Sequence, residues 1–152
     1  MADQSTVITD TSQLIDWVAA GAKPKSDWRI GTEHEKILFH RGDFSPVAYE
    51  GANGVGAMLN ALLNRIGDKA RPIMEKGRII GLKDGEGGSV TLEPGGQLEL
   101  SGAPLTNLHQ TCAETGRHLK HMRAVTIQQI FSSVNMICKF LQRIFTIEIR
   151  QI

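Results

Sequence analysis

Two hydrophobic periods alternate along this chain. From Trp28 to Phe39 apolar and polar residues alternate imperfectly with a period of two, which predicts a strand. Strand geometry then puts Glu33 and Glu35 on one face and Thr32, His34 and Lys36 on the other. From Gly56 to Ile66 the period changes. Met58, Leu59, Leu62, Leu63 and Ile66 recur at helical spacing and Gly67 follows as a stop, which predicts a core-facing helix. Four short runs come next, Pro72–Glu75, Arg78–Leu82, Ser89–Glu93 and Gln97–Leu100. Their separators, Lys76-Gly77, the glycine-rich 84–88 and Pro94-Gly95-Gly96, have turn chemistry, so the runs read as an antiparallel meander. Leu105–Thr126 predicts a helix capped by Thr106, with Leu108, Cys112, Leu119 and Met122 on its apolar side. Ahead of the first strand, Thr11 or Ser12 would cap a short helix with Leu14, Ile15 and Val18 on one face and Gly21 as its stop. Lys23-Pro24-Lys25 breaks the chain, Arg41-Gly42-Asp43 makes a turn, and residues 44–56 form a loop. The expected class is α+β, an antiparallel sheet with packing helices.

Residues 127–152 differ in character. They are rich in Ile and Phe, lack Gly and Pro, and have Glu148 as their only acidic residue. Lys139, Arg143, Glu148 and Arg150 interrupt the run, so no apolar stretch is long enough to cross a bilayer. A helix packed on the rest of the chain is the plain expectation. Self-association through residues 127–152 and surface attachment as an amphipathic helix are the alternatives.

Composition narrows the partners. The 152 residues carry 17 basic and 16 acidic side chains, and 5% are aromatic. Neither charge nor stacking surface points to nucleic acid, and nothing in the balance favours a membrane. Cys112 and Cys138 form no CxxC pair and read as reduced, partly buried thiols. The opening MADQSTVITD has no basic region followed by an apolar one, and the expected compartment is the cytoplasm.

Two constellations could carry chemistry. Glu33 and Glu35 project side by side and suit a hard divalent cation, which takes oxygen ligands. Gln97 and Glu99 share a second strand face, with Glu93 just before the Pro-Gly-Gly turn. By spacing alone each is more simply a solvated strand face. His34 falls opposite Glu33 and Glu35 and reads as structural. Gly54-Val55-Gly56 precedes a helix, but neither GxxxxGK[ST] nor GxGxxG occurs. His109 and Cys112 lack an orienting third group, and no GxSxG elbow is present, so nucleophilic catalysis is not indicated.

Together, four blocks resemble one family: Trp28-Arg29-Ile30-Gly31-Thr32-Glu33-His34-Glu35-Lys36, Ile79-Ile80-Gly81-Leu82, Leu92-Glu93-Pro94-Gly95-Gly96-Gln97-Leu98-Glu99-Leu100-Ser101-Gly102-Ala103-Pro104, and Leu108-His109-Gln110-Thr111-Cys112-Ala113-Glu114. In identity, order and spacing they are similar to the glutamate–cysteine ligases of the plant and proteobacterial type. The resemblance implies a glutamine-synthetase-like antiparallel sheet, here incomplete, as one wall of an active site. It also implies ATP-dependent joining of the γ-carboxyl of L-glutamate to L-cysteine through γ-glutamyl phosphate, the first step of glutathione biosynthesis. Carried over, Glu33, Glu35, Glu93 and Glu99 would be catalytic and would ligate Mg²⁺, the cofactor that accompanies ATP. Gln97 and Tyr49 would contact substrate. The resemblance covers residues 11–125, so residues 1–125 are expected to be the N-terminal part of such a catalytic domain, with 126–152 a divergent, helical tail. Family members are longer. The expectation is therefore a truncated ligase, or a remnant with an out-of-frame end that binds Mg²⁺-nucleotide or self-associates without turning over.

Overall fold

The computed structural model of the chain describes residues 7–40, 42–127, 134–137 and 143–146. It divides into two compact units, Met1–Trp28 with Ile147–Ile152, and Arg29–Thr146.

The first unit contains helix α1, Thr11–Ala20. Asp10, not Thr11 or Ser12, is its cap. The Asp10 carboxylate accepts from the Ser12 amide at 2.7 Å, and the Gln13 side-chain oxygen accepts from the Asp10 amide at 3.2 Å. This reciprocal box satisfies two amide groups that a helix start would otherwise leave unpaired. Leu14, Ile15, Trp17 and Val18 are all exposed.

The second unit is built on one seven-stranded antiparallel sheet. Its strands are β1 (Ile30–His40), β2 (Arg71–Glu75), β3 (Arg78–Lys83), β4 (Ser89–Leu92), β5 (Gln97–Ser101), β6 (Val134–Ile137) and β7 (Arg143–Thr146). The order runs β2-β3-β4-β5-β1-β6, with β7 also paired to β1. Thus the β2–β5 meander predicted from its turns is present. Lys76 and Gly77 both take positive φ, 47° and 78°, as a two-residue turn matching the strand twist requires. After β4, Gly96 at φ 79° lets the Glu93 amide reach the Gln97 carbonyl at 2.8 Å.

Helix α2 (Val55–Ile66) and helix α3 (Leu108–Ile127) pack on one face of this sheet, α2 against β3 and α3 against β1. Met58, Leu59 and Leu62 of α2 meet Leu82, Val90, Leu98 and Leu100 from the strands and Met122 and Val125 from α3. Each such side chain, fully buried, contributes roughly 1.5–3 kcal/mol over its exposed state. The register between β2 and β3 shifts by one near Ile73–Met74, and as a result Ile79 and Leu82, three residues apart, both enter this core.

Three expectations change. The α3 cap is Asn107, whose side chain accepts from the Gln110 amide at 3.0 Å, while Thr106 bonds to the Gln110 side chain. The buried side of α3 is Thr111, Glu114, His118, Met122 and Val125, whereas Leu108 is 54% exposed and Cys112 is exposed as well. Cys138 lies outside the described residues. The tail expected to be helical contributes strands instead. β6 pairs with Ile37–His40 and β7 with Ile30–Glu33, end to end along the outer edge of β1. An open strand edge presents a row of unpaired amides and carbonyls, and a segment rich in Ile, Val and Phe favours the extended state that fills it. The other tail residues named above lie outside the described ones. Among the described residues, no helix is long and apolar enough to cross a membrane.

Candidate active site

Register converts the two acidic constellations into one surface. Glu35 stands opposite Glu99, and Glu99 stands opposite Thr91. One step along, Glu33 faces Ser101, and Ser101 faces Ser89. One step the other way, Ile37 faces Gln97, and Glu93 bonds to Gln97 through its amide at 2.8 Å. Side chains two residues apart on a strand share a face, so these nine residues form a grid on the face away from the helices. Glu99 is its centre, with Glu35 beside it and Glu33 and Glu93 on the diagonals. Directly opposed side chains have Cβ atoms about 5 Å apart and diagonal ones about 7–8 Å.

The electrostatics follow from that grid. Burial, then the charges of Glu93, Glu33 and Glu35, and a hydrogen bond to Glu93, all hold the Glu99 carboxyl above its ordinary range. Thr91 donates its hydroxyl to Glu93 at 3.0 Å, orienting one carboxylate of the set. Gly95 keeps the turn clear of Gln97, since a side chain there would collide with the Gln97 amide, whose oxygen is buried without a partner among the described residues.

A Mg²⁺ ion fits this donor set in one way and not in another. Among the described residues, no three His, Cys, Asp or Glu side chains stand together closely enough to cage a metal. However, Mg²⁺ characteristically takes one or two carboxylates and completes its octahedron with water and phosphate oxygens. Carboxylates spread over a rigid strand face, with repulsion between them, suit that mode of binding.

The opposite face of β1 is also polar, but closed. Thr32, His34 and Lys36 are buried there under Thr111, Glu114 and His118 of α3. The Lys36 ammonium donates to the His34 carbonyl at 2.7 Å, and the His34 and His118 rings lie 6.3 Å apart. Burial first, then the charges of Lys36, His34 and His121, lower the His118 pKa to about 2. His118 is therefore a neutral packing group behind the acidic strand. His34 is lowered as well, by burial and by Lys36.

The structure thus brings Glu33, Glu35, Glu93, Gln97 and Glu99 together and leaves Tyr49 apart. The Tyr49 ring packs over Gly56 against the helix-side core, and its hydroxyl donates to the Ile79 carbonyl at 2.8 Å. Thr91, Ser89 and Ser101 belong to the grid although sequence reasoning passed over them. The alternation Ser89-Val90-Thr91-Leu92-Glu93 was the signal that could have found two of them.

Residues 29–129 match the model of the family described as Glutamate-cysteine ligase family 2 (GCS2). The chain is 52% identical over 113 residues to the chloroplastic glutamate–cysteine ligase of Medicago truncatula, covering 74% of this chain and 21% of that protein. It is 49% identical over 112 residues to the Nicotiana tabacum enzyme of the same name, covering 74% and 20%. To glutamate–cysteine ligase A, chloroplastic, of Oryza sativa subsp. japonica it is 46% identical over 125 residues, covering 82% and 24%. The chain therefore spans about a fifth to a quarter of the length of these relatives.

Proposed function

The chain belongs to glutamate-cysteine ligase family 2, and from that premise we propose that its open β4–β5–β1 face is the metal–nucleotide wall of a glutamate–cysteine ligase active site. The observation that carries this reading is the register that sets Glu35 against Glu99, with Glu33 and Glu93 on the diagonals. Four carboxylates on a half-buried sheet face repel one another, and a bound cation would offset that repulsion.

In this proposal Mg²⁺ of Mg²⁺-ATP would be held by one or two carboxylates at a time from the set Glu33, Glu35, Glu93 and Glu99, with phosphate and water oxygens as its remaining ligands. When bound, the ion supplies positive charge to the phosphates. Gln97 contacts glutamate or a phosphate oxygen, and Thr91 orients Glu93. The reaction has two displacements. A γ-carboxylate oxygen of L-glutamate attacks the γ-phosphorus of ATP, the bond to ADP breaks, and γ-glutamyl phosphate forms. The amine of L-cysteine then attacks that carbonyl, phosphate leaves, and the nitrogen loses its proton. Phosphoryl transfer of this kind needs positioning and charge neutralisation more than a protein nucleophile, which accords with a wall made of carboxylates on paired strands. We read the sheet as glutamine-synthetase-like from the family resemblance.

The test is formation of γ-glutamylcysteine by the chain with Mg²⁺, ATP, L-glutamate and L-cysteine, expected to vanish in Glu35→Ala. The second reading is a Mg²⁺-nucleotide-binding module without turnover. Binding of Mg²⁺-ATP with no dipeptide selects that reading, and absence of both overturns the proposal.

A further inference from the structure

Beyond the acidic face, the chain spends a buried carboxyl on a backbone amide. Glu114 of α3 is 5% exposed. One of its oxygens accepts from the Ala103 amide at 2.7 Å. The other is buried with no hydrogen-bond partner among the described residues and lies against Gly102, where a side chain would collide with it.

Pairing around Ala103 explains the need for that bond. β5 does not separate from β1 at Ser101. The Gly102 amide donates to the Thr32 carbonyl at 2.6 Å, and Leu105 exchanges two bonds with Ile30, at 2.7 and 2.9 Å. Ala103 and Pro104 therefore lie opposite Gly31 alone, one residue too many for a regular ladder. Pro104 has no amide hydrogen to place. Gly102 gives its amide to β1, so by strand alternation the Ala103 amide points to the other side, toward β4, whose pairing ends at Ser89 opposite Ser101; Ala103 is buried, so its amide requires an acceptor from elsewhere. Glu114 is that acceptor. On the other side, the β3–β4 loop closes over Ala103, since a Cβ on Gly87 would lie 3.2 Å from it. Asp84 organises this loop by accepting from the Glu86 and Gly88 amides at 2.8 and 2.9 Å, and Glu86 reaches Arg117 of α3 at 3.3 Å.

We propose that Glu114 is a positioning residue for the acidic face: by holding the Ala103 amide it fixes the irregular end of β5, and with it the register that sets Glu99 against Glu35 and Ser101 against Glu33. A slip of one residue would turn Glu99 to the helix side and bring Leu98 or Leu100 outward. The proposal rests on the acidic face being the Mg²⁺-ATP site.

Glu114→Gln keeps an oxygen for the Ala103 amide, whereas Glu114→Ala removes it. Amide hydrogen exchange by NMR on the whole chain, with calorimetry of Mg²⁺-ATP well below the melting temperature, separates the roles. In Glu114→Ala, Ala103 should exchange at least about tenfold faster and Mg²⁺-ATP should bind several-fold more weakly. Glu114→Gln should restore both. A role in stability alone would lower the melting temperature and leave the affinity of the folded chain unchanged. Gly102→Ala, which displaces the same carboxyl, is the second variant should Glu114→Ala not fold. Wild-type exchange at Ala103 in Glu114→Ala, or faster exchange with unchanged affinity, overturns the proposal. If the wild-type chain binds no Mg²⁺-ATP, the reading of the acidic face fails. Cross-strand contacts between Glu35 and Glu99 in the variant then decide for Glu114, and their retention overturns its role.

Discussion

Lowering the pH from 7 to 5 should destabilise this fold through His118, and replacing that residue by Gln should remove the effect. His118 is 7% exposed, its Nε2 has no partner among the described residues, and its pKa is lowered to about 2. Lys36 and His34 from β1 and His121 from its own helix disfavour its charged form, while Glu114, one turn earlier on the same buried side, gives a carboxyl oxygen to the Ala103 amide. In the unfolded chain the same imidazole titrates near 6.5. Between these two values the unfolded state binds one proton more than the folded state, so stability falls as pH falls. The slope approaches about 1.4 kcal/mol per pH unit, which integrates to about 2 kcal/mol between pH 7 and pH 5. The raised carboxyls of Glu99 and Glu114 act with the opposite sign, favouring the folded state as pH falls through the carboxylate range. His34 and His121, also lowered, act in the same direction as His118. The informative quantity is therefore the difference between wild type and His118→Gln in urea unfolding at each pH, which cancels the shared groups. A gap that changes by about 2 kcal/mol from pH 7 to pH 5 is expected. Parallel pH profiles would refute the reasoning, because they would mean that His118 is hydrated or paired with an anion in the folded chain.

Other consequences can be checked on the same protein. Glu99→Gln should stabilise the metal-free chain by about 0.2–1 kcal/mol by relieving cross-strand repulsion, while weakening Mg²⁺-ATP; chemical denaturation and calorimetry read the two effects separately. Leu98→Ala removes a fully buried side chain beneath the grid and should cost about 2–5 kcal/mol in urea unfolding. A chain ending at Ile127 would leave the outer edge of β1 open, and light scattering should show greater association than in the whole chain. Lesser association would favour contact through the tail instead.

Much of the sheet was legible because its signals are local. Period-two alternation set Glu33 and Glu35 against Thr32, His34 and Lys36, and the Lys76-Gly77 and Pro94-Gly95-Gly96 turns fixed which runs are neighbours. The grid itself was not legible, since Glu35 meets Glu99 only through a pairing between segments more than fifty residues apart. The α3 helix shows the same limit. Its apolar residues Leu108 and Cys112 suggested one buried side, yet the helix buries Thr111, Glu114 and His118 because the part of β1 beneath it is polar. Spacing alone carried the clue, for these three continue the stripe of Met122 and Val125 toward the N-terminus. The tail was misread for a related reason. A run without Gly or Pro is compatible with a helix, and only the open edge of β1 selects the strand.

The central claim is that the carboxylates of β1 and β5, with Glu93 just after β4, form one Mg²⁺-ATP site. Titration calorimetry of Mg²⁺-ATP into the whole chain and into Glu33→Ala with Glu35→Ala tests it most directly. Saturable binding by the chain, at least about tenfold weaker in the double variant and absent when Mg²⁺ is withheld, is the predicted result. Equal binding by both proteins would contradict it.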